Sequence, residues 1–319
     1  MTGSLPILCY RNVSPVCGIS PGELAMQLEW LKKNGWTGVT VDEAADILAG
    51  TAEGPEKAVA LTFDDSYLEN WVHAAPLLRA AGMKASFGVA TAYLHDGACR
   101  PDATTEGADL RELPLARDAW SEAIWKGNPS GFMNRLELSL LVEEDGHALY
   151  GRSHTQQACF CPKGEKGGME DDLHPGIGIW AEEEGEAAYE TGSAYAHNGL
   201  WPVGNDLLEG KMAERTTQER IEFCLEEFTA CRERLEEITG KPPKVLGWPW
   251  GEWDGVSVEA AQLAGFRAGL SLEPGANVPG KARMFALRRI RMQGGMDEKE
   301  FARMMRRAGS GFWSRFAKG

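Results

Sequence analysis

The chain has 319 residues, 43% of them hydrophobic, which is enough for one large domain or two ordinary ones with a sizeable core. Its formal net charge of −14 at pH 7 argues against binding to nucleic acid or to an anionic membrane surface, since both repel a polyanion. No apolar run is long enough to span a membrane. Residues 1–6 carry no secretory signal, so we expect a cytoplasmic protein, or an extracytoplasmic one if a leader has been removed.

Short apolar strands alternate with amphipathic helices along the chain. The predicted strands are 5–10, 58–65, 84–91, 147–152, 244–250, 266–272 and 285–290. The predicted helices are 21–34, 41–48, 67–81, 134–144, 216–238, 256–264 and 298–307. Such alternation is typical of α/β proteins and predicts a parallel sheet or barrel.

Two segments interrupt this alternation, at about 94–130 and about 160–210. The first is rich in Gly, Asp and Arg, with one short amphipathic piece at 117–125, and the second is Gly-rich and acidic. Long irregular loops inside a compact domain are usually functional or disordered. We therefore interpret both segments as irregular insertions that cap one end of a single domain spanning 1–319.

Two adjacent carboxylates, Asp64 and Asp65, follow the buried strand at 58–65. At a strand end both side chains can turn toward one site, where one binds a cation and the other accepts a proton. This arrangement suggests metal-assisted hydrolysis. The structural alternative is that the pair caps the helix predicted from 67.

Polar or aromatic residues also follow two other predicted strands, at 153–155 and 248–252. Because the loops after the carboxyl ends of strands build the sites of α/β folds, these segments and the Asp pair are predicted to converge. Aromatic faces suit sugar rings. The last segment supplies the candidate substrate-binding residues, which are Trp248, Pro249, Trp250 and Glu252.

Together these segments resemble the polysaccharide deacetylases of the NodB-homology type (carbohydrate esterase family 4), and among them the poly-N-acetylglucosamine deacetylase branch. The matching segments are 5–10, 61–67, 144–155 and 248–251. The resemblance implies a distorted, incomplete (β/α) barrel. It also implies hydrolysis of the acetamido group of an N-acetylated sugar in a surface glycan or its precursor.

The resemblance also implies roles for individual residues. Asp64 corresponds to the general base, and Asp65 and His154 correspond to ligands of a divalent metal, most often zinc. Such a metal polarises the amide carbonyl, lowers the pKa of a bound water and stabilises the oxyanion.

The chain departs from the family pattern at the metal ligands. The family has a second histidine four residues after the first, and that position is Ala158 here. A catalytic zinc usually has three protein ligands. The candidates for the replacement are Cys159, His174 and His197.

Two further family positions differ. The arginine common before the Pro-aromatic-Gly segment is Gly247, and the late Leu-x-His motif corresponds to Leu287-Arg288-Arg289, without the acid histidine. Three functions therefore stay open. The retained Asp pair favours a metal-dependent sugar N-deacetylase, whereas the missing histidines favour a catalytically impaired, glycan-binding relative. An amidohydrolase acting on a non-sugar amide is the third.

Overall fold

The computed structural model describes residues 3–161, 190–202 and 212–310. The strands in these ranges are β1 (Ile7–Tyr10), β2 (Thr37–Val39), β3 (Ala58–Phe63), β4 (Ser86–Val89), β5 (Ala148–Gly151), β6 (Ala158–Cys161), β7 (Glu190–Ser193), β8 (Leu200–Pro202), β9 (Met212–Glu214), β10 (Val245–Gly247), β11 (Ala268–Pro274) and β12 (Leu287–Arg291). The α-helices are α1 (Pro21–Lys33), α2 (Val41–Ala49), α3 (Ala75–Ala81), α4 (Ala116–Lys126), α5 (Arg135–Glu143), α6 (Thr217–Thr239), α7 (Gly255–Leu263) and α8 (Glu298–Gly309).

Parallel strands form a closed ring in the order β1-β12-β11-β10-β5-β4-β3. The ring closes because β1 pairs with both β12 and β3. Strand β2 lies outside the ring and pairs with β3 alone. The predicted (β/α) barrel is confirmed, and the ring found in the described residues has seven strands where a complete barrel has eight.

The helices begin and end where the sequence supplies capping residues. Helix α1 follows a capping box made by Ser20 and Glu23, and α6 follows one made by Thr216 and Glu219. Helix α6 then stops at Gly240, whose φ of 67° is the left-handed conformation that glycine tolerates. These local signals explain why the main helices fall within a few residues of their predicted bounds.

The second predicted insertion is not irregular throughout, so that part of the expectation was wrong. Strands β6 to β9 form an antiparallel sheet in the order β7-β6-β8-β9. Its strands are three or four residues long, which is too short for a clear alternation of polar and apolar residues. In the first insertion, α4 matches the amphipathic piece predicted at 117–125.

Two smaller differences lie near the start of the chain. Strand β2 was not predicted, and the helix expected over 67–81 begins as a π-helical turn at Asn70–Ala74 that continues into α3. None of the helices in the described ranges is long and apolar enough to cross a membrane.

Candidate functional site at the carboxyl end of the barrel

The Asp64-Asp65 pair lies where β3 ends, in a tight helical turn at Asp64–Ser66. Asp65 and Ser66 have φ values of 67° and 46°, a left-handed conformation that is costly for residues other than glycine. Strain of this kind is characteristic of functional sites. The turn aims the two carboxylates at side chains of other strands and loops, and neither caps the helix that follows.

Asp64 is held on both of its oxygens. Its Oδ1 accepts hydrogen bonds from the Tyr150 hydroxyl and from Nη1 of Arg289 at 2.7 Å. Its Oδ2 lies 3.5 Å from Nη1 of Arg152 and 3.6 Å from the Cys9 thiol. Oδ2 is therefore the less firmly held oxygen of this carboxylate.

The surroundings of Asp64 favour its ionised form. Burial by itself opposes ionisation, but the guanidinium groups of Arg152 and Arg289 outweigh it and hold the pKa of Asp64 well below its usual value. Burial raises the pKa of the neighbouring Cys9 thiol to about 12, so this thiol is a neutral donor. The Asp64 carboxylate is thus charged across the whole physiological range.

Asp65 contacts a different face of the same cluster. Its Oδ1 accepts from Nε of Arg152 at 3.1 Å and from Nε2 of Gln156 at 3.3 Å. Its Oδ2 accepts from the Tyr67 hydroxyl at 3.5 Å. Arg152 also donates from Nη1 to the backbone oxygen of Trp248 at 3.1 Å, which ties the ends of β3, β5 and β10 together.

His154 lies directly after β5, as predicted. The chain turns here through left-handed residues, with φ of 88° at Ser153 and 54° at Gln156. The His154 ring is half-buried, and its Nδ1 lies 2.9 Å from the Thr91 hydroxyl. Ala158, where the family has its second histidine, is fully buried at the start of β6, so the backbone at this position belongs to the insertion sheet.

Of the replacement ligands proposed from the sequence, the two in the described residues, Cys159 and His197, do not form a group with His154 and Asp65. Cys159 is buried in β6, where a hydrogen bond with Cys161 and burial raise the pKa of its thiol. His197 pairs instead with Glu252, at 3.3 Å between Nε2 and Oε2. His174 lies outside the described residues. In the described ranges, no three His, Cys, Asp or Glu side chains are grouped as a metal site would require.

The donor set around the Asp pair does not fit a divalent metal. A catalytic zinc needs three nitrogen, sulfur or carboxylate ligands, and the described residues hold no group of three His, Cys, Asp or Glu side chains at the pair. The Arg152 guanidinium already forms an ion pair with the Asp65 carboxylate. A guanidinium about 4 Å from a divalent ion would repel it by about 8 kcal/mol at an effective dielectric constant of about 20.

The candidate substrate-binding residues divide into two groups. Trp248 and Pro249 are buried, and Trp248 donates from Nε1 to the backbone oxygen of Phe285 at 2.8 Å. Trp248 is therefore a core residue and offers no face to a sugar, contrary to the prediction. Trp250 and Glu252 are partly exposed, and Glu252 accepts from the backbone N–H of Ser193 at 2.9 Å.

Sequence reasoning missed the partners of the two carboxylates. Arg152 follows β5 and Arg289 lies within β12, at the position of the family's acid histidine. Arg289 is fully buried, and it donates from Nε to the backbone oxygen of Ser271 at 2.9 Å. The sequence signal that could have found Arg289 is a charged residue at an inward-facing position of a short barrel strand. Only a buried acid can neutralise its positive charge there.

The chain matches the family model described as polysaccharide deacetylase over residues 51–123, a stretch that includes the Asp pair. YxkH of Bacillus subtilis (strain 168) is 37% identical over 84 residues, which are 26% of this chain and 30% of that protein. The poly-beta-1,6-N-acetyl-D-glucosamine N-deacetylase of Escherichia coli (strain K12) is 24% identical over 282 residues, 88% of this chain and 34% of that protein. The chain thus spans about a third of the length of the curated relatives it matches.

Solved structures share the fold over nearly the whole chain. The deacetylase domain of BpsB from Bordetella bronchiseptica superposes with a TM-score of 0.62 at 18% identity, covering 92% of this chain and 97% of that one. A de-N-acetylase from Aggregatibacter actinomycetemcomitans gives a TM-score of 0.65 at 17% identity, covering 94% and 98%. These likenesses show that the chain shares the barrel fold of these two deacetylases.

Proposed function

We propose that this chain removes acetyl groups from an N-acetylated glycan or its precursor, because residues 51–123 match the polysaccharide deacetylase model and the barrel resembles those of solved deacetylases. The observation that carries the proposal is the Asp64-Asp65 pair on a strained turn at the carboxyl end of the barrel. The relative from Escherichia coli, which is named for poly-beta-1,6-N-acetyl-D-glucosamine, supports a β-1,6-linked N-acetylglucosamine polymer as the first substrate to test.

The chain's own residues suit two parts of this reaction. Water adds to the acetamide carbonyl while one of its protons passes to the less firmly held Oδ2 of Asp64. The C–N bond then breaks as this proton passes on to the leaving nitrogen, and the products are acetic acid, which ionises to acetate, and the sugar amine. Tyr150 and Arg289 fix Oδ1 and so orient the carboxylate. Arg289 Nη2 is a buried donor without a partner among the described residues, and such a donor stabilises charge that develops on a carbonyl oxygen.

A second candidate function is glycan binding without hydrolysis. The observation that favours it is the pairing of both carboxylates with Arg152 and Arg289, because a base held in ion pairs takes up a proton less readily. The partly exposed Trp250 next to the barrel mouth would serve binding equally well.

The test is the release of free amine from β-1,6-linked N-acetylglucosamine oligomers by the purified protein. We expect release, and we expect Asp64→Asn to lower the rate by a factor on the order of 100 or more while the variant stays folded by circular dichroism. Oligomer binding without amine release would establish the second function instead. The absence of both would contradict the proposal.

A further inference from the structure

Arg152 makes contacts that a metal ion would otherwise make. Its Nε lies 3.1 Å from Oδ1 of Asp65 and its Nη1 lies 3.5 Å from Oδ2 of Asp64. Its side chain is 5% exposed, so water screens these contacts little. One buried cation of this protein thus bridges the two carboxylates that the family uses for a base and a metal ligand.

The charges of this cluster are balanced without any added ion. Asp64 and Asp65 contribute two negative charges, and the two guanidinium groups that contact them, of Arg152 and Arg289, contribute two positive charges. Arg11, which donates to the Tyr67 hydroxyl, adds a further positive charge nearby. Asp64 in turn raises the pKa of Arg289 despite the burial of its guanidinium, so this arginine stays charged. A divalent metal added to this group would leave its positive charge uncompensated in a buried site.

The backbone leaves room for Arg152 at a position that differs from the family pattern. A Cβ at Gly247 would lie 3.2 Å from Cδ of Arg152, 3.3 Å from its Nη1 and 2.9 Å from the Tyr150 ring. The Arg152 side chain therefore packs closely against position 247, to which the family resemblance assigns an arginine. Gly247, Ala158 and Arg289 all depart from the family pattern, and all three are compatible with the same arginine-compensated site.

We infer that Arg152 is a built-in cation that replaces the divalent metal of this site, so that the Asp64-Asp65 pair is assembled without one. This inference rests on the proposed function for the identity of the site. It deepens that function because it makes guanidinium groups, rather than a metal, the positive charges that face the substrate.

The experiment exchanges the built-in cation for an added one. Wild-type protein and the variants Arg152→Met and Arg152→Lys are titrated with Zn²⁺, and bound zinc and the melting temperature are measured. We expect the wild type and Arg152→Lys to bind no zinc at the pair. Arg152→Met, which leaves two carboxylates unbalanced and free to bind zinc more weakly than a three-ligand catalytic site does, should melt at a lower temperature and regain about 5 °C with zinc about 100-fold above its Kd.

The matched control is Arg100→Met, which removes a partly buried arginine from its buried carboxylate, Glu137. Its melting temperature should fall and zinc should not restore it. One equivalent of zinc bound to the wild type and lost in Asp65→Ala would overturn the inference.

Two provisions keep this test decisive. If Arg152→Met is insoluble, the zinc content of the wild type and of Asp65→Ala still decides the outcome. Failure of the inference is distinguishable from failure of the proposed function, because zinc content is measured without substrate. A zinc-free protein that releases no amine contradicts the function alone, and a zinc-containing protein that releases amine contradicts the inference alone.

Discussion

Two arginine–carboxylate clusters in the described residues, around Glu137 and around Asp64 and Asp65, differ in their hydrogen bonding. In the first, Arg100 donates to Glu137 from Nε at 2.8 Å and from Nη2 at 2.6 Å, and its remaining donors meet the backbone oxygens of Ser130 and Phe132. Each side-chain nitrogen of this arginine therefore has a partner, and these bonds hold the first insertion against α5.

In the second cluster, around Asp64 and Asp65, hydrogen bonding is incomplete. Nη2 of Arg289 and Oε1 of Gln156 are buried, and neither has a partner among the described residues. A buried polar atom without a partner costs about 1–3 kcal/mol, and a ligand that pairs with these two atoms would remove that cost. The comparison suggests that the first cluster stabilises the fold, whereas the second keeps a donor and an acceptor available for a ligand.

The largest effect is expected at the carboxylate cluster. Arg289→Met leaves the buried Asp64 without its shortest ion pair, and breaking a buried pair from one side costs about 3–5 kcal/mol. Urea denaturation measures this loss as a lower free energy of unfolding. A loss under about 1 kcal/mol would mean that the site is more hydrated than its burial indicates.

A smaller loss of unfolding free energy is expected at the cluster of Arg100 and Glu137. Arg100→Met removes hydrogen bonds to the Glu137 carboxylate, and its own side chain is 18% exposed, so we expect a loss of about 1.5–3 kcal/mol. The release of amine should be unchanged, because these residues do not contact the Asp64-Asp65 cluster. A variant with lower activity at unchanged stability would break the distinction between the two clusters.

Gly247→Ala tests the packing of Arg152 without removing a charge. The new methyl group would approach the Tyr150 ring and Arg152, and overpacking of this kind costs about 1–3 kcal/mol. The control is Gly22→Ala in α1, where a Cβ meets nothing within 4 Å, and we expect it to be neutral or slightly stabilising. Equal stability of the two variants would contradict the packing described for Arg152.

The pH dependence of stability gives the smallest effect. Burial lowers the pKa of His147 to about 4, and its Nδ1 accepts from the backbone N–H of Ala85. The unfolded state, with a pKa of about 6.5, binds more protons between these values, so unfolding becomes easier as pH falls. Asp64 stays ionised in this range because its pKa is held low.

From pH 7 to pH 5 we therefore expect the wild type to lose about 2 kcal/mol more than His147→Gln, as measured by urea denaturation at each pH. Identical losses in the two proteins would show that His147 is not kept neutral by burial. The pH dependence of the free energy of unfolding would then have to be assigned to other titratable groups before the two arginine clusters are compared at different pH values.

The barrel and the position of the Asp pair were predictable because their signals are local. Apolar strands, capping boxes and the carboxylates after β3 can each be read from a few consecutive residues. The partners of those carboxylates were not predictable in this way, since Arg152 lies 87 residues from Asp65 and Arg289 lies 225 residues from Asp64. Their pairing follows from closure of the ring, which brings β5 and β12 to the end of β3.

The residues taken from the 248–252 segment show the same limit. Trp248 and Trp250 are two residues apart, yet the first is fully buried and the second is partly exposed. The left-handed φ of 53° at Trp250 redirects the chain at this point. Composition suggested aromatic sugar contacts at both positions, whereas burial is decided by the packing of Trp248 against Phe228 and Trp253.

The most direct test of the arginine-compensated site is an anomalous diffraction measurement on crystals of the wild-type protein grown with zinc. We predict that the Arg152 guanidinium lies between Asp64 and Asp65, with no zinc peak bound by Asp65 and His154. A strong peak within about 2.0–2.3 Å of both side chains, with Arg152 displaced, would contradict the account.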